Sequence, residues 1–141
     1  MVDRLAGRKI CIIGDVGLDE YVIGQVRRIS PEAPVPVLEV NEEDQRLGLA
    51  SNVAANVASL GGVPFLIGVV GADKTADAFK AQLKKNHCST EFLVTDETRP
   101  TTRKLRVMAG QHHIVRVDFE RKKFLSAETE ARVLQQFKAV L

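Results

Sequence analysis

The chain has little cysteine, no long apolar run and no excess of one charge. Cys11 and Cys88 lie in different segments without a Cys-x-x-Cys spacing, which predicts reduced, buried thiols rather than a disulfide framework. The longest apolar stretch near the start, residues 10–14, is far shorter than the roughly 20 residues that cross a bilayer. The 20 basic and 18 acidic side chains leave a net charge of +2, which creates no large field for a nucleic acid or an anionic membrane. We therefore expect a cytoplasmic protein with no nucleic-acid or membrane partner.

What the chain does contain is the composition of a globular domain. Its 141 residues are 45% hydrophobic and 27% charged, which fits one compact domain with a hydrophobic core. That balance disfavours a disordered, collagen-like or coiled-coil chain. No internal repeat or low-complexity linker divides the sequence.

Strand and helix patterns alternate along much of the chain. The apolar run at 9–13 ends at Gly14, which predicts a central strand buried on both faces of a mostly parallel sheet. Small apolar residues recur at helical spacing over 50–60, so a helix is expected to pack closely on that sheet. The same patterns predict a strand at 63–70, an amphipathic helix at 75–86, a short strand at 91–94 and a helix at 126–141 capped by Ser126.

Two further pairs of strands do not follow this alternation. Residues 21–26 and 35–40 flank the turn-rich stretch RRISPEAP, whose prolines favour strands at an edge or in a small separate sheet. Residues 101–119 alternate in two runs around Ala109-Gly110-Gln111, which is the pattern of a β-hairpin. We therefore predict an α/β fold with a partly parallel βα layer and a second, small β-sheet.

Candidate binding residues follow the first predicted strand and precede the first predicted helix. Asp15 and Asp19 lie beyond the carboxyl end of that strand, where α/β sheets place their ligands and where carboxylates can accept hydrogen bonds from sugar hydroxyls. Gly48 and Asn52 stand where the free N–H groups of a helix start accumulate. The alternative is that the aspartates only cap turns and that the glycine and asparagine only begin a helix.

A basic cluster is expected on the hairpin. Lys104, Arg106 and Arg116 are spaced so that they can share one face, whereas Arg103 falls on the other. Such a cluster could hold a phosphate, because arginine presents a planar fork to phosphate oxygens. The alternative is an ordinary solvated face with Asp118 and Glu120 as charge partners.

No metal site is expected. His112 and His113 are adjacent in a predicted strand and so point to opposite faces, and no cysteine or carboxylate completes a ligand set with them or with His87.

The segments GDVGLDEYVIG, RRISPEAPVPVLEV and LGLASN resemble the opening of the ribokinase-like (PfkB) carbohydrate kinases, most closely the heptose 7-phosphate kinase domain of ADP-heptose synthases. RPTTRKLRV and VRVDFE extend the resemblance along the chain. It implies a ribokinase-like fold in which residues near 16–46 and 100–119 form a lid over the sugar and can pair between subunits of a homodimer. It also implies a sugar phosphate substrate bound by Asp19, Gly48 and Asn52 and by the basic cluster of Lys104, Arg106 and Arg116.

The resemblance further implies ATP and magnesium as cofactors of the parent enzyme, which would phosphorylate the anomeric hydroxyl of heptose 7-phosphate on the way to the lipopolysaccharide core. No Gly-x-Gly-Asp segment, which holds the catalytic aspartate of this family, occurs in the 141 residues. Residues 1–141 are therefore expected to be the N-terminal part of the kinase domain, with sugar contacts but no catalytic residue, no bound cofactor and no activity alone. The alternatives are a kinase of another sugar and a non-catalytic sugar-phosphate-binding or dimerisation module.

One position departs from the resemblance in a way that bears on the ligand. Leu49 stands where the family usually has a second glycine, and Gly17 and Leu47 also depart from the usual pattern. Either the loop at Leu49 reorients or the fit to the substrate differs.

Overall fold

The computed structural model describes residues 5–141 and contains seven strands and three helices within them. In chain order the elements are β1 (Lys9–Ile13), β2 (Val16–Ile29), β3 (Pro36–Gly48), α1 (Leu49–Ser59), β4 (Val63–Val70), α2 (Lys74–Lys85), β5 (Leu93–Thr95), β6 (Thr102–Ala109), β7 (His112–Phe119) and α3 (Ala127–Val140). In this described range, no helix combines the length and apolarity needed to cross a membrane.

A three-stranded parallel sheet has the order β1-β4-β5. The central strand is therefore β4, and β1 lies at the edge. Ile13 is 53% exposed and Cys11 is exposed, so the predictions of a central first strand and of a buried thiol at Cys11 are wrong. The reason is that β1 pairs with only one neighbour among the described strands. Cys88 is buried as predicted, and burial raises the pKa of its thiol.

A second, four-stranded sheet has the order β3-β2-β6-β7, which confirms the predicted small separate sheet. The strand β2 pairs antiparallel with β3 and parallel with β6, while β6 and β7 form the predicted hairpin. Pro36 is the first residue of the edge strand β3. The N–H that proline lacks therefore removes no hydrogen bond from the centre of the sheet. Both β2 and β3 extend well beyond their predicted bounds.

The hydrophobic core lies between the two helices α1 and α2 and the sheets. Phe79 and Leu83 of α2 are fully buried there, as are Leu66 of β4 and Leu18 of β2. The small residues of α1, with Ala54 wholly buried, allow that helix to approach β4 closely. The same core therefore fixes the four-stranded sheet against the parallel one.

Asp73 joins the parallel layer to the hairpin. Its Oδ1 accepts a hydrogen bond from the N–H of Ala76 at 2.8 Å and so caps α2, and its Oδ2 accepts from the N–H of Thr101 at 2.8 Å. Burial alone would raise the pKa of Asp73, but these hydrogen bonds lower it below its usual value. Ser126 likewise accepts a hydrogen bond from the N–H of Thr129 at 3.1 Å and begins α3.

Candidate functional site

The loop after β1 and the junction between β3 and α1 are tied together by backbone contacts. The N–H of Ala50 donates to the carbonyl of Asp15 at 3.0 Å. The buried hydroxyl of Ser51 donates to the carbonyls of Gly48 and Gly17. These bonds place the start of α1 beside the carboxyl end of β1, which is where the sequence predicts a ligand.

A carboxylate approaches Gly48 closely at this junction. A Cβ at this position would lie 2.9 Å from Oδ2 of Asp19, closer than real Cβ atoms come, and 3.0 Å from its carboxyl carbon, so the Asp19 side chain would have to move. The backbone of Gly48 is extended, with a φ of −111°, so its conformation alone would accept any residue. The absence of a side chain at Gly48 therefore leaves room for the Asp19 carboxylate.

One face of the four-stranded sheet carries most of its charge. The strand register places Asp19 beside Lys104 on the neighbouring strand, and Arg106 directly opposite Arg116. The predicted sharing of one face by the three basic residues is therefore confirmed. Arg103 lies on the other face, where it pairs with Glu20 at 2.9 Å. We call the set Asp19, Tyr21, Arg46, Lys104, Arg106, Arg116 and Asp118 the charged face.

Each of the three hairpin cations on the charged face has a carboxylate partner. Arg106 donates to Asp19 at 2.7 Å, and Arg116 lies 2.9 Å from Asp118. Lys104 lies 3.3 Å from Asp118 and 3.0 Å from Glu120, and the hydrogen bond to Glu120 is the main cause that raises its pKa. Asp118 and Glu120 are thus the charge partners that the sequence indicated. The partnership of Arg106 with Asp19 was not predicted, since it joins residues 87 apart in sequence.

An aromatic ring adds to the contacts of this face. The guanidinium carbons of Arg46 and Arg106 lie 5.0 Å and 5.2 Å from the centre of the Tyr21 ring, within the range of cation–π attraction. Burial opposes the charge on Arg106, but its hydrogen bond to Asp19 raises the pKa of the guanidinium overall. The position of the Arg106 side chain is therefore set by its contacts with Asp19 and Tyr21.

A cavity of about 570 Å³ opens between the carboxyl end of β1 and the loop at 120–125. Asp15 and Leu49 line it on the side of the parallel sheet, and Lys104 lines it from the hairpin. Its other charged lining residues are Glu120 and the cations Arg99, Arg121, Lys122 and Lys123. Five cations therefore face two carboxylates, an arrangement suited to an anionic ligand that also carries hydroxyl groups.

Sequence reasoning missed four of these cations. Arg99 is held by Asp96 at 2.9 Å, and Lys122 lies 3.3 Å from Glu120. The run Arg121-Lys122-Lys123 directly follows the predicted hairpin, and its local charge was the signal that could have indicated it.

The structure does not bring all the predicted site residues together. Asp15 and Lys104 share the larger cavity, while Asp19 binds Arg106 and lies close to Gly48. Asn52 is exposed and lines a separate hollow of about 360 Å³ with Gln45, Arg46 and Asn86, among others. Arg116 lines neither space.

Within residues 5–141, no group of three or more histidine, cysteine, aspartate or glutamate side chains is arranged to hold a metal ion.

Comparison with solved structures identifies the fold. The chain superposes on the ribokinase of Arabidopsis thaliana, solved with ribose and ATP, with a TM-score of 0.60 and 13% identity over 93% of this chain and 43% of that one. A ribokinase from Cryptococcus neoformans, solved with ADP, gives a TM-score of 0.58 and 22% identity over 86% of this chain and 38% of that one. The predicted ribokinase-like α/β fold is confirmed.

Comparison with curated proteins identifies the family. The chain is 48% identical over 118 residues to the D-beta-D-heptose 7-phosphate kinase of Bordetella bronchiseptica, which covers 84% of this chain and 37% of that protein. It is 47% identical over 130 residues to the bifunctional protein HldE of Helicobacter pylori strain P12, which covers 92% of this chain and 28% of that protein. The chain thus spans only 37% of the length of the first relative and 28% of the length of the second. The family described as pfkB family carbohydrate kinase matches residues 8–140. The chain belongs to the pfkB family of carbohydrate kinases.

Proposed function

We propose that this chain is the sugar-recognition part of a D-glycero-D-manno-heptose 7-phosphate 1-kinase. The whole enzyme would use ATP and magnesium in the cytoplasm, in a step toward ADP-heptose and the lipopolysaccharide core. The name of the relative in Bordetella bronchiseptica, a D-beta-D-heptose 7-phosphate kinase, supports the choice of sugar. The proposal rests mainly on the cavity, which Asp15 lines together with five basic residues, Arg99, Lys104, Arg121, Lys122 and Lys123.

The two ends of this cavity suit the two ends of a sugar phosphate. Asp15 is exposed at the carboxyl end of β1, where its carboxylate can accept hydrogen bonds from sugar hydroxyls. Lys104 stands on the hairpin side and can attract a phosphate. Because a site built around hydroxyl groups leaves its polar groups unpaired with analogues that lack them, this arrangement selects for sugars.

The charged face supplies a second set of proposed contacts. Asp19 is held by Arg106 beside Gly48, so its carboxylate is oriented before a sugar arrives. Arg116 has the most exposed side chain of the three hairpin cations, at 57%, and can turn toward a phosphate at the smallest cost. Asn52 is proposed to contact the sugar only if the ligand extends past the start of α1, because it faces the smaller hollow.

We assign the chemical step to other parts of the parent enzyme. Phosphoryl transfer needs a group that positions the accepting hydroxyl, donors for the transferred phosphoryl group and contacts to magnesium ATP. The sequence contains no Gly-x-Gly-Asp segment, which holds the catalytic aspartate in the family that the chain resembles. Residues 1–141 are therefore proposed to bind sugar phosphate without binding ATP and without activity of their own.

We also propose a homodimer formed through the four-stranded sheet. Val115, Val117 and Phe119 of β7 are exposed and lie on the face opposite Lys104 and Arg106. Exposed apolar side chains clustered on one sheet face are typical of an interface between subunits. We call these three residues the apolar face.

Calorimetry of the 141-residue chain with heptose 7-phosphate and with ATP tests the proposal. We expect weak binding of the sugar phosphate and no detectable binding of ATP. Tight ATP binding would contradict the assignment of the nucleotide site to other parts of the enzyme. Equal binding of a hexose 6-phosphate would favour a kinase of another sugar.

A further inference from the structure

Leu49 has a backbone conformation that leucine rarely adopts. Its φ is +55°, in the left-handed region that favours glycine. Within residues 5–141, His87 is the other non-glycine residue with a positive φ, at +57°. His87 directly follows the C-cap of α2, where a left-handed residue commonly ends a helix. Leu49 instead begins α1, so helix termination does not account for it.

The backbone contacts around Leu49 do not require its side chain. The adjacent N–H of Ala50 donates to the carbonyl of Asp15, and a bridge links Leu49 itself to Val16. A glycine would preserve all of these bonds and would adopt the observed φ without strain. The turn therefore has a conformation suited to glycine and carries a leucine in it.

Core packing does not explain the leucine either. The residue is 41% exposed, whereas the leucines of the core, such as Leu18 and Leu66, are 1% exposed. Leu49 lines the cavity of about 570 Å³ together with Asp15 and Lys104. A large apolar side chain on a strained backbone, with its exposed surface in a cavity, is placed to contact a ligand rather than to stabilise the fold.

We propose that Leu49 is a specificity-determining residue of this cavity and limits the size of the sugar phosphate that it accepts. The inference rests on the proposed function, because it takes the cavity as the sugar site. The isobutyl group of Leu49 occupies space beside Asp15 that a glycine would leave open, and it offers an apolar surface to the C–H groups of a sugar. Removing it enlarges the cavity where the ring or its exocyclic carbons would lie. The expected consequence is a change in the preference between sugar phosphates of different length.

The test compares two ligands and four forms of the 141-residue chain. The affinities of D-glycero-D-manno-heptose 7-phosphate and mannose 6-phosphate are measured by NMR titration for the wild type, Leu49→Gly, Leu49→Asn and Leu60→Gly. Asparagine tolerates a left-handed backbone and is smaller than leucine. Leu60 is a matched control, because it is 43% exposed, lies at the opposite end of α1 and has a φ of −89°. Thermal unfolding of each form is measured in parallel.

We expect both Leu49 variants to shift the affinity ratio toward the seven-carbon sugar by about tenfold. This is the lower end of the discrimination that one methylene group gives in a hydrophobic pocket. Leu60→Gly should leave the ratio unchanged. Leu49→Gly should unfold no lower than the wild type, whereas Leu60→Gly should unfold at a lower temperature.

Three other outcomes would contradict the role of Leu49. If the wild type binds a sugar phosphate and both Leu49 variants keep its ratio, the specificity role is overturned and the proposed function stands. If Leu49→Gly lowers the unfolding temperature as much as Leu60→Gly, leucine is there for stability and the inference fails. If the wild type binds neither sugar phosphate, the proposed function is overturned together with the inference.

Discussion

The guanidinium of Arg106 donates a hydrogen bond to the carboxylate of Asp19 at 2.7 Å, across two neighbouring parallel strands. The side chains are 18% and 23% exposed, so the pair is partly shielded from water. On its other side the carboxylate lies close to where a side chain of residue 48 would begin, and Gly48 leaves that space open. Arg106 therefore holds, and Gly48 leaves room for, the carboxylate that the family resemblance assigns to the sugar.

Replacing Arg106 should release this carboxylate. Arg106→Ala is expected to lower the free energy of unfolding by about 1 kcal/mol, since the pair is only partly buried, and to weaken sugar phosphate binding more than Arg46→Ala does. Arg46 is the control because its guanidinium also lies near Tyr21 and its carboxylate partner is Asp44 rather than Asp19. Urea unfolding and calorimetry measure the two effects. Equal loss of affinity in both variants would contradict a specific role for Arg106.

Adding one carbon at Gly48 should have a cost that depends on Asp19. Gly48→Ala places a Cβ 2.9 Å from the Asp19 carboxylate and is expected to destabilise the chain by roughly 1–3 kcal/mol. In an Asp19→Ala background the same substitution should cost clearly less, because the obstructing oxygens are gone. A double-mutant cycle by urea unfolding gives the coupling energy. Additive effects would show that Gly48 is needed for some other reason.

Part of this arrangement could be predicted from the sequence and part could not. The strict alternation of 101–119 assigns each side chain to a face, so the shared face of Lys104, Arg106 and Arg116 follows from it. An isolated strand pattern does not specify its neighbours, so it could not reveal that Arg106 would meet Asp19. The same limit applies to β1, whose apolar run looks central although the strand has one described neighbour.

The cavity was harder to predict for a related reason. Its walls come from the loop after β1, the start of α1, the hairpin and the loop at 120–125, which are distant in sequence. A residue such as Lys123 becomes a candidate only when the fold turns that loop toward Asp15. The conformation of Leu49 could not be predicted either, because the backbone preferences of leucine disfavour a left-handed turn.

Asp96 should make stability depend on pH in the acid range. Hydrogen bonds from the hydroxyl and the N–H of Thr98, followed by the interaction with Arg99, lower the pKa of Asp96 to about 2 from the usual 3.8. A carboxyl group with a depressed folded-state pKa stabilises the fold above its unfolded-state pKa. We therefore expect up to about 2 kcal/mol of stability to be lost between pH 4 and pH 2. Chemical unfolding across this range measures it.

Asp96→Asn provides the control for this effect. The variant should be less stable than the wild type at pH 6, and the difference between them should shrink as the pH falls toward 2. A constant difference across the range would mean that the ionisation of Asp96 does not contribute.

A charge on the apolar face should dissociate the proposed dimer. Val117→Lys places an ammonium group among Val115 and Phe119, where burial against a second copy would be costly. Light scattering should give a dimer for the wild type and a monomer for this variant. Gln111→Lys adds the same charge at the turn between β6 and β7 and should leave the dimer intact. A monomeric wild type at high protein concentration would rule out this interface.

Mapping the ligand on the chain tests the central claim most directly. In an NMR titration of the 141-residue chain with heptose 7-phosphate, the largest amide shifts are expected at Gly14, Asp15, Leu49 and Lys104, around the larger cavity. Asp15→Asn should abolish them, whereas Asp77→Asn, which changes an aspartate of α2, should not. Shifts confined to the hollow beside Asn52, or no shifts at millimolar ligand, would contradict a sugar phosphate site at the carboxyl end of β1.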